Sequence, residues 1–318
     1  MVTVDEAIFS QTVCVLLDSC PTLDQVASVL SDYDITGRND GSEAWEFSGP
    51  ALIIAYRPEV NGYAVLDLVD RPWPDDMGFE NDNALLHSAW KAGQFGQYVF
   101  PGSLERAAEQ SWGWAEGKEV AAKAKAFIRV RFSYVLGKED DDGEWLPEDY
   151  DPIAELEFAT TMVSKLLTLP QALCYFNPGG EVLRDQNTLE ESIELCAEHE
   201  IPTVDLWANV RLFRFDDDWA MMDTVGNGQL GAVDVEACFN ADVYDFNGVD
   251  QLLRTVSMYL VGGEEFEEGE MIEDDEGLSW KITIHGDSLC DPPREVLRLL
   301  PDDGRTPPAE LTEDPSDD

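Results

Sequence analysis

Apolar positions recur along the chain in two spacings, and each spacing predicts a different element. The run Gln11–Leu17 holds Val13, Val15, Leu16 and Leu17 and predicts a short strand. Thr22 with Gln25 then forms a capping box, opening a helix whose Leu23, Val26 and Leu30 share one face. Ala51–Tyr56 and Ala64–Val69 are β-rich runs on either side of Pro58–Gly62, where Asn61-Gly62 marks a hairpin turn. Asp70–Gly78 is a Pro- and Asp-rich loop. Ser103–Ala126 reads as helix broken near Gly113 or Gly117. The clearest strand is Phe127–Leu136, where Ile128, Val130, Phe132 and Tyr134 alternate with Arg129, Arg131 and Ser133. Such alternation predicts one buried face and one polar face.

Beyond an acidic stretch at Lys138–Asp151, the helical period returns. Asp151-Pro152 pairs a cap with a first-turn proline, and Leu156, Ala159, Val163 and Leu166 form the inward stripe. Ala172–Phe176 predicts a strand and Asn177–Gly180 a turn, while Thr188 with Glu191 predicts a second capping box. Val204–Phe215 and Trp219–Val225 read as paired strands around Asp216-Asp217-Asp218, followed by a strand at Val233–Phe239. Asn247–Leu260 is an amphipathic helix that Gly262-Gly263 stops, and Leu278–His285 is a late strand. Strands and helices mix without strict alternation, so the expected fold class is α+β, with mainly antiparallel sheet and packed helices. The opening strand and helix at Gln11–Leu30 echo Phe127–Leu169, a pattern of two similar α+β halves. The corresponding organisation is an N-terminal half at 1–137, an acidic loop or linker at 138–151, a C-terminal half at 152–300 and a disordered acidic tail at 301–318.

Charge narrows the range of partners. The 318 residues carry 66 Asp and Glu against 20 Lys and Arg, a formal charge of −46, yet 44% are hydrophobic. That is enough apolar material for a core, and too much negative field for direct binding to nucleic acid or an anionic membrane. The excess is spread along the chain, with peaks at Glu139–Asp151 and Glu264–Glu276, so a solvated acidic surface fits better than one focused phosphate-like face. Asp5 and Glu6 stand where a signal peptide would be basic, and the six cysteines include no C-x-x-C pair. Both features lead us to expect reduced thiols and a cytoplasmic protein.

No nucleophile elbow, Walker loop or zinc-ligand spacing occurs, so no catalytic residue is assigned and no cofactor is expected. His199 falls at a helix end, where a cation complements the helix dipole. Gly226–Gly231 has G-x-G spacing, but it joins two strands rather than a strand and a helix, which predicts a turn needing positive φ. Two constellations are left. Arg129 and Arg131 share a strand face that Arg211 is placed to join, either as a strip binding carboxylate or phosphate or as cross-strand ion pairs. Asp223, Asp234 and Glu236 flank the glycine turn, where strand ends can converge on one divalent cation.

The strings Asp205-Leu206-Trp207, Arg211–Arg214, Asp223-Thr224-Val225-Gly226 and Leu230–Glu236, with the helix Val249–Leu260 after them, resemble the bacterial domain-of-unknown-function family 4261. The resemblance is strongest over about residues 155–290. It implies a bacterial cytoplasmic α+β domain and offers no catalytic residues to carry over. Three functions follow for test. The first is a non-enzymatic interaction module binding or neutralising an unidentified, basic partner protein. The others are a divalent-metal-dependent hydrolase built on Asp/Glu ligands and an acidic nucleic-acid mimic.

Overall fold

The computed structural model describes residues 9–41, 45–78, 83–137 and 145–312. The fold is α+β with two mostly antiparallel sheets, and the chain divides into two compact units, Met1–Trp207 and Ala208–Asp318. No helix among the described residues is long and apolar enough to cross a membrane.

In the first unit the elements run β1 (Thr12–Leu17), α1 (Leu23–Val29), β2 (Ile35–Asn39), β3 (Ala51–Arg57), β4 (Gly62–Val69), α2 (Ala84–Lys91), α3 (Ser103–Glu109) and α4 (Gly117–Ala121). They continue with β5 (Ala126–Ser133), α5 (Pro152–Leu166), β6 (Ala172–Asn177), β7 (Val182–Arg184) and α6 (Gln186–His199). The sheet order is β2-β3-β4-β5-β1-β6-β7, with every neighbouring pair antiparallel. Local chemistry sets the boundaries. Thr22 and Gln25 close the capping box of α1, and Asp151 accepts from the backbone N–H groups of Ile153 and Ala154 at the start of α5. The cap of α6 differs from the expectation. Asp185, not Thr188, accepts from the N–H of Thr188 at 2.8 Å, so the helix begins one turn earlier. An aspartate with a free β-conformation outcompetes a threonine already inside the helix.

A second correction concerns β5. All eight of its residues are buried, because helices pack on one face and residues 70–125 cover the other with Trp73, Met77, Phe95, Val99 and Trp114. Arg129 and Arg131 therefore lie inside the unit rather than on a solvated face. A third concerns the boundary between units. β6 pairs with β1, opposing Cys174 to Leu16, so residues 172–184 complete the first sheet. The division accordingly falls after Trp207 and not in the acidic stretch 138–151. Of that stretch, residues 138–144 lie outside the described residues, while Asp149 accepts from Arg57 and Tyr150 donates to Glu155 within the first unit. The two echoing segments, β1–α1 and β5–α5, contribute neighbouring strands to one sheet.

The second unit contains β8 (Asn209–Arg214), β9 (Trp219–Val225), β10 (Asp234–Asn240), α7 (Phe246–Val261), β11 (Met271–Glu273), β12 (Ser279–His285) and β13 (Val296–Pro301), in the order β11-β12-β13-β10-β9-β8. The β10–β13 pair is parallel and the others are antiparallel. Gly226 at φ 124° and Gly231 at φ 80° bracket the β9–β10 turn, backbone that suits glycine. α7 buries Val249, Leu252, Leu253 and Val256 against Val210, Met222, Val235 and Ala237 on one sheet face. The expected disordered tail is ordered as far as it is described. Pro301 ends β13, and Leu311, 4% exposed, packs with Trp219, Met221 and Cys238 on the other face, while 313–318 lie outside the described residues.

Candidate functional site

The face of the second sheet turned away from α7 carries a row of charge. Strand register places Arg211 opposite Asp223, Asp223 opposite Glu236, and Glu236 opposite Arg298, so four strands contribute one ionic residue each. All four side chains are fully buried. Arg211 donates from Nε to Asp223 Oδ1 at 2.9 Å and from Nη2 to Oδ2 at 2.6 Å, a bidentate fork. Arg298 Nε donates to Glu236 Oε1 at 2.6 Å, and the Leu289 N–H donates to Oε2 at 3.2 Å.

Arg294, in the segment before β13, ties the row to the glycine turn. Its Nη2 reaches Asp223 Oδ2 and the Thr224 carbonyl, each at 2.7 Å, and its Nε reaches Asp234 Oδ2 at 3.1 Å. Thr224 Oγ1 and the Asn227 N–H donate to Asp234 Oδ1 at 2.8 and 3.1 Å. Three guanidinium groups thus meet three carboxylates. Burial pushes each acid up, but Arg211 and Arg294 outweigh it at Asp223, whose carboxyl is held below its ordinary value. At Asp234 and Glu236 burial prevails over Arg294 and Arg298, and both carboxyls sit above their ordinary values.

The expected metal ligands Asp223, Asp234 and Glu236 are therefore brought into one network, together with Arg211. Their donor set does not fit a cation, because three guanidinium groups already take the inward oxygens. Among the described residues no group of His, Cys, Asp or Glu has the arrangement to hold a metal ion. Arg211 also does not join Arg129 and Arg131, which belong to the other sheet. There, Arg129 faces Asp67 across β4–β5 and donates from Nη2 to Oδ2 at 2.7 Å, and Arg131 Nη2 shares the same carboxylate through Oδ1 at 3.2 Å. The carbonyl of Gln94 accepts from both guanidinium groups.

Several of these partners escaped the sequence reading. Arg294 and Arg298 sit in a segment not read as strand, and the only sequence signal was an arginine inside the apolar run Val296–Leu300, the same pattern as at Val210–Leu212. Asp67 and Glu155 are two among 66 acids, and only their burial sets them apart. Glu155, at the start of α5, has no cation on its carboxylate among the described residues. It accepts from Ser10 Oγ at 2.6 Å, Tyr134 OH at 2.7 Å and Tyr150 OH at 3.1 Å, and burial pushes its carboxyl up to about 7.

One cleft opens on the surface of the second unit. A cavity of about 170 Å³ lies between the first turns of α7 and residues 273–278. Asp245, Glu273, Asp274, Asp275 and Glu276 rim it, Val249, Leu252 and Leu278 supply apolar wall, and no lysine or arginine lines it. Asp274 is held by the Trp280 indole at 3.0 Å and Asp275 by Gln251 at 2.5 Å, so the rim is built rather than loose.

No curated protein and no solved structure matches this chain. The family match starts later than residue 155, where the resemblance becomes strongest, and it reaches Leu300 in β13. It contains every member of the charged network except Arg211. Residues 223–300 match the family model described as Domain of unknown function (DUF4261), the family that the sequence resembles.

Proposed function

We propose that the chain is a non-enzymatic interaction module of the cytoplasm, and that the acidic cleft of its second unit receives a basic side chain of a partner protein. The observation that carries the reading is how the charge is distributed. Residues 208–318 hold 28 acids and seven bases. Arg211, Arg294 and Arg298 are committed to the buried network with three acids, which leaves four bases and 25 acids outside it. Of those four, Arg254 is paired with Asp250 and Arg305 with Asp303. In the cleft that excess meets apolar wall, a combination that accepts the aliphatic stem of lysine or arginine and faces its charged head with carboxylates. The chemically versatile arginines, by contrast, are locked inside.

Such binding is steered by long-range charge and weakens as salt rises. The test is fluorescence anisotropy of a Lys/Arg-rich peptide with the full chain at low and at high ionic strength. The expected result is salt-sensitive binding that drops several-fold when Glu273→Gln and Glu276→Gln are combined. Equal binding by wild type and this variant overturns the assignment to the cleft.

A further inference from the structure

The two units balance their buried charge differently. The network of the second sheet sets three guanidinium groups against three carboxylates. The first sheet sets Arg129 and Arg131 against Asp67 alone. Both arginines are buried, and Asp67 is the one carboxylate among the described residues in contact with either. A buried carboxylic acid can shed such an imbalance by taking up a proton, as Glu155 does with its carboxyl near 7. An arginine has no equivalent escape. Burial and the neighbouring Arg129 push the Arg131 guanidinium down to about 9, which still leaves it a cation at neutral pH. Among the described residues one positive charge is thus uncompensated inside a unit of a strongly acidic protein.

Two polar atoms mark where it concentrates. Arg131 Nε and Thr12 Oγ1 are buried and have no hydrogen-bond partner among the described residues, although both Nη atoms of Arg131 are engaged. The β1–β5 register sets Thr12 directly opposite Arg131, so the two side chains leave the sheet side by side on the same face. The cover over them is compact. The Phe9 ring lies 4.0 Å from the Arg131 guanidinium carbon, and a Cβ placed on Gly96 would come within 2.9 Å of Thr12 Oγ1 and 3.0 Å of Val99. An N–H of a cation and a hydroxyl, neighbours on one buried sheet face, are two donors in want of an acceptor. A water molecule would satisfy the N–H and leave the charge uncompensated, whereas a monovalent anion does both.

We propose that the first unit binds a small monovalent anion, of halide or formate size, between Arg131 Nε and Thr12 Oγ1. The anion completes the Asp67–Arg129–Arg131 cluster and so belongs to the folded state. Binding to the folded state alone raises stability by mass action.

Thermal unfolding of the full chain in bromide, in formate and in gluconate at equal ionic strength tests this, since constant ionic strength removes the general screening of a −46 chain. The expected result is a rise in Tm with bromide and formate over gluconate that grows with the logarithm of anion concentration above Kd, on the order of 5 °C at about 100 times Kd. Thr12→Val reduces that selective rise, and Arg131→Met abolishes it. Identical unfolding in the three salts overturns the proposal, as does a selective rise that both variants retain. If Arg131→Met does not fold, Thr12→Val and the anomalous scattering of bromide-soaked wild-type crystals decide. A bromide peak in contact with both Arg131 Nε and Thr12 Oγ1 supports the site, and peaks confined to other places overturn it.

Discussion

Glu155 concentrates more consequence than any other single side chain. Its carboxyl joins Ser10 before β1, Tyr134 after β5 and Tyr150 in the segment before α5. Burial raises its pKa from 4.5 to about 7, so the folded state prefers the protonated form. The stability this confers is complete below the unfolded value near 4.5 and is lost as pH rises through about 7. The expected outcome is a Tm that declines between pH 5 and pH 8, with a flatter profile in Glu155→Gln, which keeps a neutral, hydrogen-bonding group. Asp67 and Asp223 act in the other direction. Arginines hold both carboxyls below their ordinary value of 3.8, so their contribution is present above that value and falls away in acid. At Arg211, removal of one partner leaves Asp223 buried with half its fork missing. Arg211→Met is expected to cost about 3–5 kcal/mol in urea unfolding, and Arg211→Met with Asp223→Leu to cost markedly less.

At the scale of elements, caps and covers carry the testable energies. Asp185→Ala removes the acceptor at the start of α6 and is expected to cost about 1 kcal/mol, with Thr188→Ala costing less. Leu311→Ala opens the contact with Trp219, Met221 and Cys238, at an expected cost of about 2–5 kcal/mol. Chemical denaturation of each variant checks both. Elements with a strong local signature could be read in the sequence: the capping box of α1, the Asp-Pro start of α5 and the stripe of α7. β2 could not, because Ile35–Asn39 is an edge strand with little apolar content, and β7 and β11 are three residues long. The site divides in the same way. Arg211, Asp223, Asp234 and Glu236 stood out by type and spacing, but which charges neutralise them depended on β13, some 60 residues farther along and parallel to β10. Burial of Arg129 and Arg131 was equally hidden, since the cover over β5 comes from residues 70–125 and leaves no trace in the strand's own alternation.

For the whole molecule, the net charge of −46 sets a background on which every local effect sits. Like charges repel within each compact unit, so screening by salt of any kind is expected to raise Tm from low to moderate ionic strength. An anion-specific rise would lie above that common curve. The same screening weakens the proposed peptide contact, so stability and binding should move in opposite directions as salt is added. A single salt titration that follows both quantities checks this divergence.

The central place of β13 has a consequence for how the second unit is made. β13 lies between β12 and β10, yet it is the last of the six strands to leave the ribosome. Until it arrives, β11–β12 and β8–β9–β10 are two separate pieces of sheet with no shared edge. Arg294 and Arg298 arrive with it, so the carboxylates of Asp234 and Glu236 wait for their counter-charges over most of the unit's synthesis. Neutralisation and sheet closure are therefore one late event, and a chain stopped just before residue 294 would hold about three quarters of the unit's sequence and neither half of what assembles it.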